Sequence, residues 1–318
     1  KAARENGGLL DITGFSRFEI SGPNAETWLD KILATRLPKP GRARLAVMLG
    51  HDGRLKGDLT LLNWGDGNFW LMGSYYLREW HTRWFTDHME GGVMVRDLGE
   101  EIAGFAVVGP NAKTVIEKLT EDSVGQLPFM GCMAADIGLI RTQIARMSVT
   151  GEKGYEINCR MGDHIALRAM LLAAGASDGI VEVGFNAMLS LRLEKSFGIW
   201  SAEFTQGYTA AETGMDRWIA FQKEDFVGRE AAIAERDGDG PSRVLVTLEI
   251  EAEDADASGY EPVWRDDRLV GFVTSGGYGH TVDKSLAMAL VDYDAAAEGT
   301  GLSVHVVGQE RAAKVIPP

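Results

Sequence analysis

Cysteine is scarce in this sequence, which has only Cys132 and Cys159 among its 318 residues. The two thiols do not have the spacing of a zinc site, and they cannot form a disulfide framework. We therefore expect a reducing compartment, either the cytoplasm or, in a eukaryote, the mitochondrial matrix. The six histidines also lack zinc-enzyme spacing. His81 and His88 lie one heptad apart, but no further ligand accompanies them, so no metal site is predicted.

Sequence signals of several common protein classes are also missing. No apolar run approaches the length that crosses a bilayer. No Gly-x-Gly-x-x-Gly segment follows a strand pattern and no Walker motif is present, so the chain carries no recognisable flavin or nicotinamide fold. The net charge of −14 disfavours nucleic acid as a partner, because phosphate binding needs clustered lysine and arginine. That charge does not exclude an anionic ligand in a locally basic pocket.

What the sequence does contain is an internal repeat. Residues 17–27 read Arg-Phe-Glu-Ile-Ser-Gly-Pro-Asn-Ala-Glu-Thr, and residues 104–114 read Gly-Phe-Ala-Val-Val-Gly-Pro-Asn-Ala-Lys-Thr. In each copy a β-rich run ends at Gly-Pro-Asn-Ala, and a helical pattern follows. Proline suits a helix entrance because its fixed φ and its missing N–H cost nothing there. Two copies at this separation predict two related lobes that contain βα units.

The last part of the chain, beyond about residue 235, is dominated by short strand patterns separated by turn residues. This pattern predicts a small barrel or a sandwich. Earlier strand patterns lie at 42–49, 59–64, 69–73, 139–149 and 155–160, and helical patterns lie at 75–89, 164–174 and 184–197. Because Asp-Gly-Asp-Gly-Pro interrupts any helix near 236–241, the predicted domains are residues 1–236 and 241–318.

Two carboxylates stand out by their local context. Asp58 follows Gly57 and precedes an apolar strand, so it either faces a cavity, where glycine leaves room for a ligand, or ends the strand in solvent. Glu156 lies between Tyr155 and Ile157, and strand alternation places it on the face opposite those two. It is either an exposed cross-strand partner or a buried carboxylate that needs hydrogen-bond donors.

Four longer segments carry a family resemblance. They are Ser-Val-Thr-Gly-Glu-Lys-Gly-Tyr-Glu at 148–156, Ala-Met-Leu-Ser-Leu-Arg-Leu-Glu-Lys at 187–195, Asp-Phe-Val-Gly-Arg-Glu-Ala-Ala at 225–232, and Val-Thr-Ser-Gly-Gly-Tyr-Gly-His-Thr at 273–281. Together they resemble the folate-binding aminomethyltransferase family, which is glycine-cleavage T-protein-like. They are more similar to the C-terminal part of its dimethylglycine/sarcosine dehydrogenase branch. Met188 stands where the glycine-cleavage enzyme has arginine, which favours that branch.

The resemblance implies both a fold and a set of site residues. The fold is α+β, with two related βα-containing lobes of ferredoxin-like type, a C-terminal small β-barrel and a central folate pocket. The implied cofactor is tetrahydrofolate. Glu156 would hold the pterin ring, and Asp58 would be the catalytic residue that faces the reacting nitrogens, orients an amine and accepts a proton. The remaining implied contacts to the cofactor are Leu59, Thr60, Val149, Tyr155, Arg217 and Trp218.

The resemblance further implies the capture of a one-carbon unit, released by oxidative N-demethylation of a methylated amine, as 5,10-methylenetetrahydrofolate. The oxidation needs an FAD-dependent domain or partner, so we expect the chain to be the C-terminal portion of a longer flavoprotein. The alternatives are a free-standing folate-dependent methyl- or aminomethyltransferase and a non-catalytic folate-binding module. Two positions depart from the family: Val149 replaces a frequent tyrosine, and Arg217, with Trp218 next to it, replaces a frequent aromatic residue.

Overall fold

The computed structural model describes residues 1–318, which form seven α-helices and 17 strands. The helices are α1 (Ala2–Glu5), α2 (Ala25–Ile32), α3 (Arg78–Asp87), α4 (Ala112–Glu117), α5 (His164–Gly175), α6 (Phe185–Leu193) and α7 (Arg229–Asp237). The first eleven strands are β1 (Gly7–Asp11), β2 (Ser16–Ser21), β3 (Arg42–Leu49), β4 (Leu55–Gly65), β5 (Asn68–Gly73), β6 (Met94–Asp97), β7 (Ile102–Val108), β8 (Cys132–Ile137), β9 (Ile140–Ala145), β10 (Gly154–Arg160) and β11 (Ile180–Val183). The last six are β12 (Arg243–Ile250), β13 (Pro262–Arg265), β14 (Arg268–Gly279), β15 (Lys284–Asp292), β16 (Gly301–Val306) and β17 (Gln309–Ile316). No helix of this structure combines the length and the apolar character that crossing a bilayer requires.

The chain divides into two compact units that do not follow a single cut in the sequence. The first unit comprises residues 1–32, 36–46 and 59–188, and the second comprises residues 33–35, 47–58 and 189–318. The division passes through β3 and β4, so each of these strands contributes residues to both units. The predicted domains, residues 1–236 and 241–318, are drawn at a break in the sequence pattern and stay a prediction.

A six-stranded sheet lies in the first unit, with the strand order β11-β1-β7-β10-β9-β8. All its neighbouring strands are antiparallel except the β1–β11 pair, which is parallel. One face of this sheet packs a dense apolar core beneath α4 and α5, because alternate strand residues point to the same side. Members of that core include Phe105, Val107, Ile144, Tyr155, Ile157, Val115, Ile116, Leu167 and Leu171.

The predicted repeat has the same local structure in both copies. Strand β2 is followed by Gly22 at a φ of 107° and then by α2, and β7 is followed by Gly109 at a φ of 104° and then by α4. These strands belong to different sheets: β2 lies in the five-stranded sheet β3-β4-β5-β2-β6 and β7 in the six-stranded one. Left-handed backbone at this position favours glycine. The Gly-Pro-Asn-Ala motif therefore specifies the same strand-to-helix turn in both copies.

Replacing Gly109 by alanine is expected to lower the free energy of unfolding by about 1–3 kcal/mol, the range for strained backbone conformations. An added Cβ would meet the carbonyl oxygen of Ala3 and would lie 2.6 Å from the Cα of Gly7. Gly14 is the matched control, because a Cβ there has no neighbour within 4 Å and its φ is not left-handed. Urea unfolding of both variants gives the comparison, and equal midpoints for the two would contradict the assigned role of Gly109.

The last six strands form a closed barrel in the second unit, in the order β12-β15-β14-β13-β16-β17. Of the two predicted arrangements, the barrel is therefore the one adopted. Closure removes unpaired strand edges. The barrel interior is filled by small and branched apolar side chains, among them Leu248, Val263, Val270, Val273, Ala287, Ala289, Val291, Val304 and Val315.

Candidate active-site carboxylates

Glu156 lies on β10 in the middle of the six-stranded sheet, between β7 and β9. Its neighbours Tyr155 and Ile157 are 2% and 0% exposed and belong to the core beneath α4 and α5. Glu156 therefore points to the opposite face of the sheet, as the strand alternation predicted. It is nevertheless only 5% exposed, so of the two alternatives for this carboxylate the buried one applies.

The strand residues next to Glu156 are small. Ala106 on β7 and Ala145 on β9 lie directly opposite it in the two ladders, and Leu10 on β1 lies beyond Ala106. Residues that lie directly opposite each other across an antiparallel ladder share one face of the sheet. The alanines therefore do not crowd the carboxylate from within the sheet, and both are themselves buried, Ala145 in an apolar cluster with Leu62, Trp70 and Met72.

The carboxylate of Glu156 has no hydrogen-bond donor within the protein to offset its burial. Burial raises the pKa of Glu156 to about 7, and the positive charge of Arg17 opposes that rise without cancelling it. No hydrogen bond contributes to the shift. The oxygens of Glu156 are not among the fully buried side-chain atoms that lack a partner, so they keep slight contact with solvent. A charged acceptor that is largely buried without donors is still unfavourable. Glu156 is thus a buried acceptor that can bind a ligand with N–H donors.

Asp58 lies on β4 in the second unit, directly after Gly57, and its side chain is half-buried. Burial raises the pKa of Asp58 to about 7; a hydrogen bond from its own backbone N–H opposes the rise, and the negative charge of Glu203 adds to it. A carboxyl group that titrates near neutral pH is suited to accept or release a proton during a reaction. The raised pKa of Asp58 is therefore compatible with the catalytic role predicted for it, which stays a prediction.

Glu203 is a functional candidate that the sequence patterns did not reveal. It is 0% exposed and accepts hydrogen bonds from Arg192 Nη1 at 3.1 Å, from the backbone N–H of Ile199 at 2.9 Å, from Thr274 Oγ1 at 2.7 Å and from Ser275 Oγ. The available signal was Arg192, because an arginine inside an apolar helix needs a carboxylate partner. Its partner, however, lies on a different segment and is not defined by helical spacing.

Replacing Glu203 by glutamine is expected to lower the pKa of Asp58, because the substitution removes the like charge that contributes to its rise. The side-chain carboxyl carbon of Asp58, followed by NMR as pH is varied, reports this midpoint directly. Glu249→Gln is the control: it removes an equal charge from the barrel, and Glu249 has no part in the Asp58 shift. A midpoint that moves equally in both variants would mean that the Glu203 carboxylate has no specific influence.

The remaining predicted contacts occupy different environments. Leu59 is fully buried and Thr60 is half-buried on β4, and Val149 is half-buried in the turn that precedes β10. Tyr155 lies in the apolar core on the face opposite Glu156. Because of that orientation, the geometry does not favour a contact of Tyr155 with a ligand on the Glu156 face, and its ring instead supports the sheet from beneath.

Arg217 and Trp218 are brought together in a short turn of the second unit. The Arg217 guanidinium carbon lies 5.8 Å from the centre of the Trp218 ring, and the tryptophan is 39% exposed. A cation over an aromatic face is a favourable arrangement, worth about 0.5–1 kcal/mol at an exposed site. The pair thus presents an exposed aromatic surface in the second unit.

Comparison with known proteins places the chain in a family. The family model described as the GCVT N-terminal domain matches residues 1–223, and the model of the glycine cleavage T-protein C-terminal barrel domain matches residues 243–318. The chain belongs to the glycine cleavage T-protein family. The resemblance drawn from the four sequence segments is thereby confirmed, and the closed barrel is the one that the second family model describes.

Among individual relatives, mitochondrial dimethylglycine dehydrogenase of Rattus norvegicus is 31% identical over 99% of this chain and 38% of its own length. The aminomethyltransferase of Geobacillus kaustophilus is 30% identical over 100% of this chain and 88% of its own length. The chain thus spans well under half of the dehydrogenase and most of the aminomethyltransferase.

A solved structure supports the same fold. The glycine cleavage system aminomethyltransferase T of Bartonella henselae superimposes with a TM-score of 0.89 and 25% identity, over 99% of this chain and 86% of that one. The predicted fold class, mixed α/β lobes with a C-terminal barrel, is therefore confirmed. The relatives also support an enzyme of the aminomethyltransferase type.

Proposed function

We propose that the chain binds tetrahydrofolate through Glu156 and catalyses transfer of a one-carbon unit to it. The observation that supports this most strongly is the buried carboxylate of Glu156, which lacks any hydrogen-bond donor of the protein. The amidine-like edge of a pterin presents two N–H donors, and a carboxylate accepts such a pair in bidentate fashion. The residues opposite Glu156 on β7 and β9 are alanines, which do not crowd the carboxylate from within the sheet.

The proposed role of Asp58 rests on the chemistry of its own surroundings. Tetrahydrofolate, when bound, supplies two amine nitrogens, N5 and N10, that accept the one-carbon unit. A carboxyl group with a pKa of about 7 can orient an amine, take its proton and favour a developing positive charge. Asp58 is thus proposed as the general base, whereas Glu156 binds and does not react.

For the source of the carbon we propose oxidative N-demethylation of a methylated amine of the dimethylglycine or sarcosine type. The oxidation would take place on an FAD-dependent domain or partner protein, and 5,10-methylenetetrahydrofolate would be the product. The alignment with dimethylglycine dehydrogenase over 99% of this chain supports this source, as does Met188 at a position where the glycine-cleavage enzyme has arginine.

A second candidate is a free-standing folate-dependent aminomethyltransferase. The observation that favours it is the match to the Geobacillus kaustophilus aminomethyltransferase over 88% of that protein's length. The two candidates differ in the donor: an iminium ion formed by amine oxidation in the first, and a donor that the chain itself binds, such as an S-aminomethyl thioether, in the second.

One experiment tests the proposal and separates the two donors. The chain is first titrated calorimetrically with tetrahydrofolate, and the absence of binding would overturn the proposal. It is then mixed with tetrahydrofolate and either a purified FAD-dependent amine demethylase with its substrate or an S-aminomethyl thioether. Because free formaldehyde condenses with tetrahydrofolate unaided, we expect 5,10-methylenetetrahydrofolate to form faster in the first mixture than in the same mixture without the chain. Acceleration by the chain in the second mixture alone would establish the free-standing transferase instead.

A further inference from the structure

Arg17 is a fully buried charged side chain in the first unit, with 0% exposure. Its Nε donates to Oδ1 of Asn158 at 2.7 Å. Its terminal nitrogens donate to the carbonyl oxygens of Ile12 at 2.9 Å, Thr13 at 3.2 Å and Phe15 at 2.7 Å. These four hydrogen bonds fix the plane of the guanidinium group, because the donors of arginine lie in a rigid fork.

The guanidinium group lies beside the strand segment that carries Glu156. Asn158 follows Glu156 by two residues on β10, so both side chains are on the same face of the sheet. Gly104 on β7 lies directly opposite Asn158. A Cβ at Gly104 would lie 2.5 Å from Nη2 of Arg17 and 2.9 Å from Oδ1 of Asn158. Glycine at this ladder position therefore leaves the space that the guanidinium group occupies.

Few other charged groups influence the titration of Arg17 and Glu156. Burial lowers the pKa of Arg17 to about 10, and the negative charges of Glu156 and Asp11 oppose that change. Asp11 also contacts His164, with 2.9 Å between the carboxylate and Nε2. Burial raises the pKa of Cys159 to about 11, so this thiol is neutral near pH 7. Arg17 is the one charged group that acts on the titration of Glu156.

We propose that Arg17 is a positioning residue for ligand binding, which fixes Asn158 and supplies the buried positive charge that favours the ionised form of Glu156 as an acceptor. The identity of the ligand rests on the proposed function. An ionised carboxylate accepts both donors of a pterin-like edge, whereas a protonated one directs an O–H at the same edge and loses an acceptor. Arg17, which is fully buried and hydrogen-bonded, would thus act on ligand binding as well as on the packing of the sheet.

The test is a pH titration of Glu156 in the ligand-free protein. The NMR signal of its carboxyl carbon is assigned by its absence in Glu156→Gln and is followed in wild type, Arg17→Met and Arg17→Lys. We expect a midpoint of about 7 in wild type. In Arg17→Met the midpoint should rise by about one unit or more, and in Arg17→Lys, which keeps the charge, it should stay near wild type. Affinity for tetrahydrofolate near neutral pH should fall about tenfold in Arg17→Met and recover at higher pH.

A second variant covers the case in which Arg17→Met does not fold. Asn158→Ala removes the acceptor that holds Nε of Arg17 and adds no charge, so the midpoint of Glu156 should again rise as the guanidinium group is no longer fixed. An unchanged midpoint in either variant, or an equal loss of affinity at every pH in Arg17→Met and Arg17→Lys, would overturn the inference. Failure of wild type to bind tetrahydrofolate would reject the proposed function alone, because the ligand-free midpoints would still report on Arg17.

Discussion

Asp58→Asn should lower kcat for one-carbon transfer by roughly 10²- to 10⁴-fold, the usual contribution of a positioned general acid or base. Asparagine keeps the shape of the side chain and cannot accept a proton. Affinity for tetrahydrofolate should change little, because the proposed role of Asp58 is in the reaction and not in ring binding. Single-turnover measurements of 5,10-methylenetetrahydrofolate formation separate the two effects.

The pH dependence sharpens this prediction. Burial and the charge of Glu203 raise the pKa of Asp58 to about 7, so the basic form predominates only above that value. Activity of wild type should therefore rise as pH increases through about 7, and Asp58→Asn should lose this inflection. Asp52→Asn is the matched control, because Asp52 lies in the turn before β4 and is exposed. Unimpaired turnover of Asp58→Asn with an unchanged pH profile would favour the non-catalytic folate-binding module.

The elements of this fold were predictable where short-range patterns define them. The two Gly-Pro-Asn-Ala copies specify a strand, a left-handed glycine and a helix within a dozen residues, and both copies adopt that structure. The strand patterns beyond residue 242 likewise appear as strands of the barrel. The choice between barrel and sandwich depends on the pairing of β12 with β17, which no local pattern encodes.

The site was predictable only in part, for the same physical reason. Alternation along β10 gave the face of Glu156, but its burial depends on partner strands distant in sequence. Arg17 and Asn158 are 141 residues apart, and neither one's context indicates the other. Tyr155 was assigned to the cofactor through the family segment, although the same alternation rule places it on the core side of the sheet.

Glu156→Gln is expected to have opposite effects on stability and on ligand binding. The pKa of Glu156 is raised from 4.5 to about 7 in the folded protein, so between these values the folded state holds a proton that the unfolded state has lost. Ionisation of Glu156 therefore destabilises the wild-type fold progressively as pH rises through this window. Above pH 7 this ionisation lowers the free energy of unfolding of the wild type by about 3 kcal/mol. Glu156→Gln keeps that stability, because glutamine does not ionise.

The same substitution should weaken tetrahydrofolate binding by roughly 10- to 100-fold, because hydrogen bonds to a charged group are worth about 1.5–3 kcal/mol. Glutamine offers one acceptor oxygen and adds an N–H₂ group that faces the donors of the ligand. The loss should exceed that of Asp58→Asn, since Glu156 is proposed to grip the ring. Calorimetric titration of the three proteins measures the order directly.

Glu182→Gln on β11 serves as the control for both effects, because it removes an exposed carboxylate from the same sheet. Urea unfolding at about pH 5 and at about pH 8 should show the wild type losing stability relative to Glu156→Gln but not relative to Glu182→Gln. Parallel stability curves for all three would show that Glu156 is solvated in the folded protein. Equal folate affinities would assign the pterin to other residues. A gain in stability at high pH combined with a loss of affinity is the signature of an acceptor that the fold buries for a ligand to satisfy.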